Sequence, residues 1–180
     1  MRDWRRQAEE HRRAVHESGH AVIAIALGLP VRQVDIRCES DRGGACWIDL
    51  NVAVEDVAVS LFATTIFLLA GGAAERRLGI AGAACGDGPD RAKAARIIAM
   101  QHRLTVDQIE RLLRRCDVLT SVYVTNAWPW IQRTADALTR RRVLDGDVVL
   151  ALRDEEEYIG RATATIRRTS HEQHRFGHHF

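Results

Sequence analysis

Apolar and polar positions follow two periods along this chain. From about Asp3 to Leu27 the period is helical. Val15, Gly19, Val22, Ile23 and Ala26 share one stripe, and Gly28 and Pro30 close the segment in the order that ends a helix. In VRQVDIR, Val34 and Ile36 alternate with polar neighbours. Asp41-Arg42-Gly43-Gly44 signals a turn, and ACWIDL follows with Cys46, Ile48 and Leu50 on one face, so a β-hairpin is expected. Residues from about Val54 to Arg77 predict an apolar helix interrupted by Gly-Gly near its end. A glycine- and alanine-rich loop then leads to a helix at about 89–102. Thr105 and Gln108 form a capping-box pattern opening a helix through about Tyr123. Trp128-Pro129-Trp130 starts another, with proline near its first turn. LDGDVVLAL predicts a turn and a last helix. No repeat is present. The expectation is an α+β, mainly α-helical domain over residues 1–160: a long first helix, a small hairpin or sheet, then a helical bundle. Residues 161–180, rich in Arg, Thr and His, are expected to be a mobile tail.

Composition narrows the class. With 180 residues the chain is one domain, long enough to bury a core without staples. A net charge of +2 demands neither a nucleic-acid nor a membrane partner. Lys93 is the sole lysine. It stands between Ala92 and Ala94, so the chain has no phosphate-binding P-loop. Cys38, Cys46, Cys85 and Cys116 form no C-x-x-C pair, which disfavours a disulfide framework or a zinc finger. A reduced, cytoplasmic setting is expected. The start, MRDWRRQAEEHRR, is charged throughout and unlike a secretory signal. Val57 to Ala74 carries no charge, but its Ser60, Thr64, Thr65, Gly71 and Gly72, with Asp56 and Glu75 flanking it, predict a buried core helix and no membrane span.

The chemistry lies in His16-Glu17-Ser18-Gly19-His20, an H-E-x-x-H pattern. On a helix two imidazoles four apart lie on one face and can reach one metal ion. Glu17 points to the side of that pair, where it can take a proton from a metal-bound water. Zinc lowers the pKa of such a water toward ~7. With 8 His in the chain, chance supplies only about 0.02 such matches. The turn that follows, AVIAIAL, is wholly apolar and must be buried, so two solvated surface histidines are a poor alternative.

A catalytic zinc needs a third protein ligand. Ile23 and Ala26 stand where an H-E-x-x-H-x-x-G-x-x-H pattern needs Gly and His, so the ligand comes from further along. Glu39 falls in the hairpin turn. Glu75 ends an apolar helix and could simply be its solvated end. Asp90 opens a helix and could only complement its dipole. Asp87 is an N-cap candidate. Spacing leaves these open.

Three segments together resemble the peptidase domain of the FtsH-type ATP-dependent zinc metalloproteases: HESGHAVIAIALGLPVRQVDI, Leu69-Ala70-Gly71-Gly72-Ala73-Ala74-Glu75, and Gly86-Asp87-Gly88-Pro89-Asp90 with Ala94 four residues on. The likeness runs from about Ala14 to Ala99 and loosely to LDGDVV. It implies a zinc metallopeptidase with Zn2+ on His16, His20 and Asp90 and with Glu17 as general base. Glu75 then orients a ligating imidazole. Gly72 stands where the family has Arg, Pro89 where it has Asn, and Cys85 where Thr is common. The resemblance also implies that Ala45, Cys46, Trp47 and Ile48 form an edge strand for extended polypeptide substrate. An ordinary core hairpin, with Trp47 as a packing residue, is the alternative. The family's ATPase has no counterpart in this chain, so an unfoldase acting in trans is expected, and a homo-oligomer is possible by analogy with the family's rings. The rivals are a non-proteolytic binding module that keeps a zinc site, and a protease of one regulator.

Weaker signals are the tail histidines His171, His174, His178 and His179, a basic run Arg140–Arg142 at a helix end, and Cys85 beside the candidate ligand. None indicates nucleic-acid binding.

Overall fold

The computed structural model describes residues 3–37, 44–48, 57–79, 88–102 and 104–154. The chain is mainly α-helical with one small antiparallel sheet, as its patterning predicts. The first helix, α1, spans Asp3–Ala26. Its first turns are exposed, whereas every residue from Ala14 to Ala24 is buried. The expected stripe is therefore only part of the contact: α1 packs on neighbours all round over its second half. Gly28, at φ +77°, takes the left-handed conformation that ends the helix.

Pro30 leads into β1 (Val31–Asp35), which pairs antiparallel with β2 (Ala45–Ile48) in the expected hairpin. Val34 faces Cys46, and Asp35 faces Ala45. The other side of β1 holds a strand that the patterning did not predict. LDGDVV is not a simple turn: Val143–Asp145 forms β3, paired antiparallel with β1 through Val34 and Leu144. Only three residues long, β3 carries no period-2 signal. The sheet order is β2-β1-β3, which leaves β2 at an edge among the described residues.

The apolar helix α2 covers Val57–Arg77 and runs unbroken through Gly71-Gly72, so the expected interruption is absent. Next come α3 (Gly88–His102) and α4 (Val106–Asn126), the latter opened by the Thr105–Gln108 capping box. Then α5 (Trp128–Arg141) begins with Pro129 in its first turn, and α6 (Gly146–Ala151) follows β3. Two apolar clusters result. One joins α1, α5 and the sheet around Ile23, Val34, Trp130 and Leu144, where the buried Trp130 donates its indole N–H to the Val149 carbonyl at 2.8 Å. The other joins α2, α3 and α4 around Phe67, Leu69, Ala94, Ile98 and Leu113. Among the described residues no helix is long and apolar enough to cross a membrane. The tail at 161–180 lies outside them, as do Cys38 and Cys85.

The backbone of α1 meets α2 closely at Gly19. A Cβ there would lie 2.8 Å from both the Ala70 carbonyl oxygen and the Ala74 Cβ. Gly19→Ala therefore pushes the helices apart, at a cost of about 1–3 kcal/mol for overpacking, partly offset by about 1 kcal/mol of helix propensity. Urea titration of the metal-free variant is expected to show a net loss of stability; unchanged stability would show that the crossing is not tight.

Candidate metal centre

His16 and His20 stand four positions apart, about one helical turn, so both imidazoles leave α1 on the side facing α2. Their rings meet edge to face with centroids 4.7 Å apart. Each ring turns one nitrogen outward. His20 Nδ1 lies 2.7 Å from the Phe67 carbonyl oxygen of α2, which can only accept, so Nδ1 carries the proton. His16 Nδ1 donates to Glu75 Oε1 at 3.0 Å. The two Nε2 atoms thereby converge, 3.0 Å apart.

Asp90, in the first turn of α3, completes the group. Its Oδ2 lies 3.2 Å from His20 Nε2 and 3.4 Å from His16 Nε2. These three are the described residues whose ligand atoms could hold a metal ion together. The spacing comes within about 0.3 Å of that of a tetrahedral ion, whose bonds of about 2.0–2.2 Å separate its ligands by roughly 3.3–3.6 Å, so a small outward shift of the two imidazoles admits one. Two imidazoles and one carboxylate are also the donor set of a catalytic zinc with an open position. Gly71 makes room for it, because a Cβ at that position would lie 2.5 Å from both Nε2 atoms.

Each ligand is held from behind. Glu75 is fully buried, so it is not the solvated end of α2. Besides accepting from His16 it accepts from Arg12 Nη1 at 2.7 Å. Asp90 Oδ1 accepts from Lys93 Nζ at 2.8 Å, which leaves Oδ2 for the imidazoles. These contacts set the electrostatics. Burial alone lowers the pKa of His16, but its bonds to Asp90 and Glu75 outweigh that and raise it to about 9. Burial raises the carboxyl of Asp90, and the two histidines more than reverse this, holding it well below the ordinary carboxylate range. Burial pushes Glu17 up. It is 7% exposed, and Gly44, just before β2, approaches so closely that a Cβ would lie 2.7 Å from Glu17 Oε1.

Glu17, His16, His20 and Asp90 line one cleft of about 600 Å³. Its walls include Arg12 and Arg13 of α1, Ala45 and Cys46 of β2, and Lys93 of α3. Burial holds the Cys46 thiol neutral, far above its usual range. Trp47, half exposed, and Ile48 continue β2 but do not line the cleft. Glu39, Asp87 and Cys85 lie outside the described residues. The structure thus brings His16, Glu17, His20, Glu75 and Asp90 together. Sequence reasoning missed Arg12, Gly44, the Phe67 carbonyl, Gly71 and Lys93. A signal for some was present: Phe67, Gly71 and Glu75 recur every four residues on α2, and Arg12 precedes His16 by the same step.

No protein-family model matches the chain, and no curated protein matches it.

Two outcomes follow from this geometry. Gly71→Ala is expected to weaken zinc binding more than tenfold while leaving the helical circular-dichroism signal intact, since alanine suits a helix better than glycine. Competition with a chromophoric chelator reads the change, and wild-type affinity would sink the placement. The second concerns pH. The raised His16 contributes stability to the metal-free chain that is full below pH 6.5 and lost as pH rises through about 9. Metal needs the neutral imidazole, so its affinity rises over the same window. The gain in melting temperature on adding zinc should therefore widen from pH 6.5 to 9; a constant gain would contradict the protonated metal-free His16.

Proposed function

We propose that this chain is a zinc metallopeptidase that hydrolyses peptide bonds in unfolded or flexible polypeptide segments. The observation that carries the reading is the joint geometry of His16, His20 and Asp90, with the buried Glu17 carboxylate in the same cleft. Zinc on those three residues supplies Lewis-acid chemistry, lowering the pKa of a water and polarising a carbonyl. The chain's own residues do the rest. Glu75 and the Phe67 carbonyl hold the two imidazoles in the tautomer that presents Nε2 inward. Glu17 takes a proton from water and returns it to the leaving amine. Its raised pKa brings it nearer to the operating pH, as general-base work favours. A purely structural zinc would have no use for that carboxylate. The edge of β2, whose first residues line the cleft, suits an extended peptide held through its main chain.

The resemblance to FtsH-type peptidase domains supports the same assignment of ligands and base. These 180 residues hold no P-loop lysine, so we assign substrate unfolding to an ATPase outside them.

The test is cleavage of a labelled, permanently unfolded protein by the zinc-loaded chain beside Glu17→Gln. Removal of the base is expected to slow cleavage by about 10²–10⁴-fold with zinc content unchanged. If neither protein cuts while both hold one zinc, the general peptidase reading fails, and a binding module or a protease of one regulator takes its place. Degradation of a folded substrate by the chain alone would remove the need for a separate ATPase.

A further inference from the structure

The acids that build and orient the metal centre each have an arginine as the next residue in the chain. Arg91 follows Asp90, and Arg76 follows Glu75. Both arginines reach the same side chain on α4, outside the cleft. Arg91 Nη1 donates to Asp117 Oδ2 at 2.5 Å, and Arg76 Nη2 lies 3.8 Å from Asp117 Oδ1. That Oδ1 is buried and accepts no hydrogen bond among the described residues, so the neighbouring cations are what stabilise its charge there. Asp117 thus connects the end of α2 to the start of α3, where the two acids of the site stand.

We propose that Asp117 is a positioning residue for the metal centre, fixing Asp90 and Glu75 through the arginine next to each. The inference rests on the metal-site reading. Position matters because Asp90 is the ligand supplied from outside α1, and a small rotation of the first turn of α3 carries Oδ2 away from the imidazoles. Core packing holds α3 on α2 and α4 further along, at Ala94 and Ile98. Lys93 grips Asp90 from within α3 itself and cannot fix that helix to the rest of the fold. The Arg91–Asp117 pair does so, one residue from the ligand. Glu110, 3.8 Å from Arg91 Nη2, offers that arginine another partner once Asp117 is neutralised, and Arg91 then draws the first turn of α3 toward a different point on α4.

The test compares wild type, Asp117→Asn, Arg91→Gln, the double variant and Leu113→Ala. Leu113 is a buried α4 residue one turn away that forms no part of the ion-pair group. Zinc dissociation constants come from chelator competition, and the visible absorption of the cobalt-loaded proteins reports ligand geometry. Asp117→Asn is expected to weaken zinc by about 10–100-fold and to alter the cobalt bands. The double variant should lose no more than the worse single variant, as for two groups acting through one contact. Leu113→Ala should lower the melting temperature yet keep zinc affinity within about twofold of wild type, since it trims core packing that many other side chains share and leaves every ion pair in place. The proposal is overturned if Asp117→Asn keeps wild-type affinity and spectrum, or if Leu113→Ala weakens zinc as much. A wild-type chain that binds no zinc would instead remove the metal-site reading, and this inference with it.

Discussion

The close crossing of α1 and α2 is the constraint on which the site depends. Gly19 lets the helix backbones meet at Ala70 and Ala74, and Gly71 lets the imidazoles of His16 and His20 lie against the opposite helix. At that distance two rows of side chains with a four-residue step face one another. On α1 the row is Arg12, His16, His20; on α2 it is Phe67, Gly71, Glu75. Arg12 and His16 both bond Glu75, and His20 bonds the Phe67 carbonyl. Any bulk inserted between the rows would lengthen every one of these contacts together.

That crossing also explains how so much charge sits in a core. Glu75 is completely buried, and Glu17, His16 and His20 nearly so. An isolated buried carboxylate costs several kcal/mol, and here each orienting acid has a cation or an imidazole against it. Glu75 has Arg12 and His16; Asp90 has Lys93 and both histidines. Where Asp90 Oδ2 meets the two Nε2 atoms, either a proton or a metal ion must lie among them. Protons and a metal ion would compete for one place, with the same supporting residues for both.

The parts of this arrangement that repeat locally were legible in the sequence. The i, i+4 histidines, the capping box at Thr105, the hairpin and the buried apolar helix all follow from short-range spacing, and the structure bears them out. The bringing together of Asp90 and Glu75 with His16 was open on spacing alone, because their meeting depends on how α2 and α3 pack. Gly71-Gly72 shows the limit best. Glycines inside a helical pattern suggest a break, yet the helix continues, and the reason lies on another helix. The strand β3 was invisible for a similar reason. Three residues carry too little pattern, and their pairing is decided by β1, more than a hundred residues earlier.

The candidate ligand set is divided between α1 and α3, so an ion bound there would be a cross-link as well as a reagent. His16 and His20 come from a helix buried all round and leave it in fixed directions. Asp90 comes from the start of a helix that, among the described residues, packs mainly on α2 and α4. An ion held by all three ties that helix start to the core, so metal affinity contains the free energy of ordering it. Metal binding then stabilises the chain by mass action in proportion to how well α3 is already placed. The ion pairs at Lys93 and Arg91 would lower that ordering cost in advance, and they do so without occupying the Asp90 Oδ2 that faces the imidazoles.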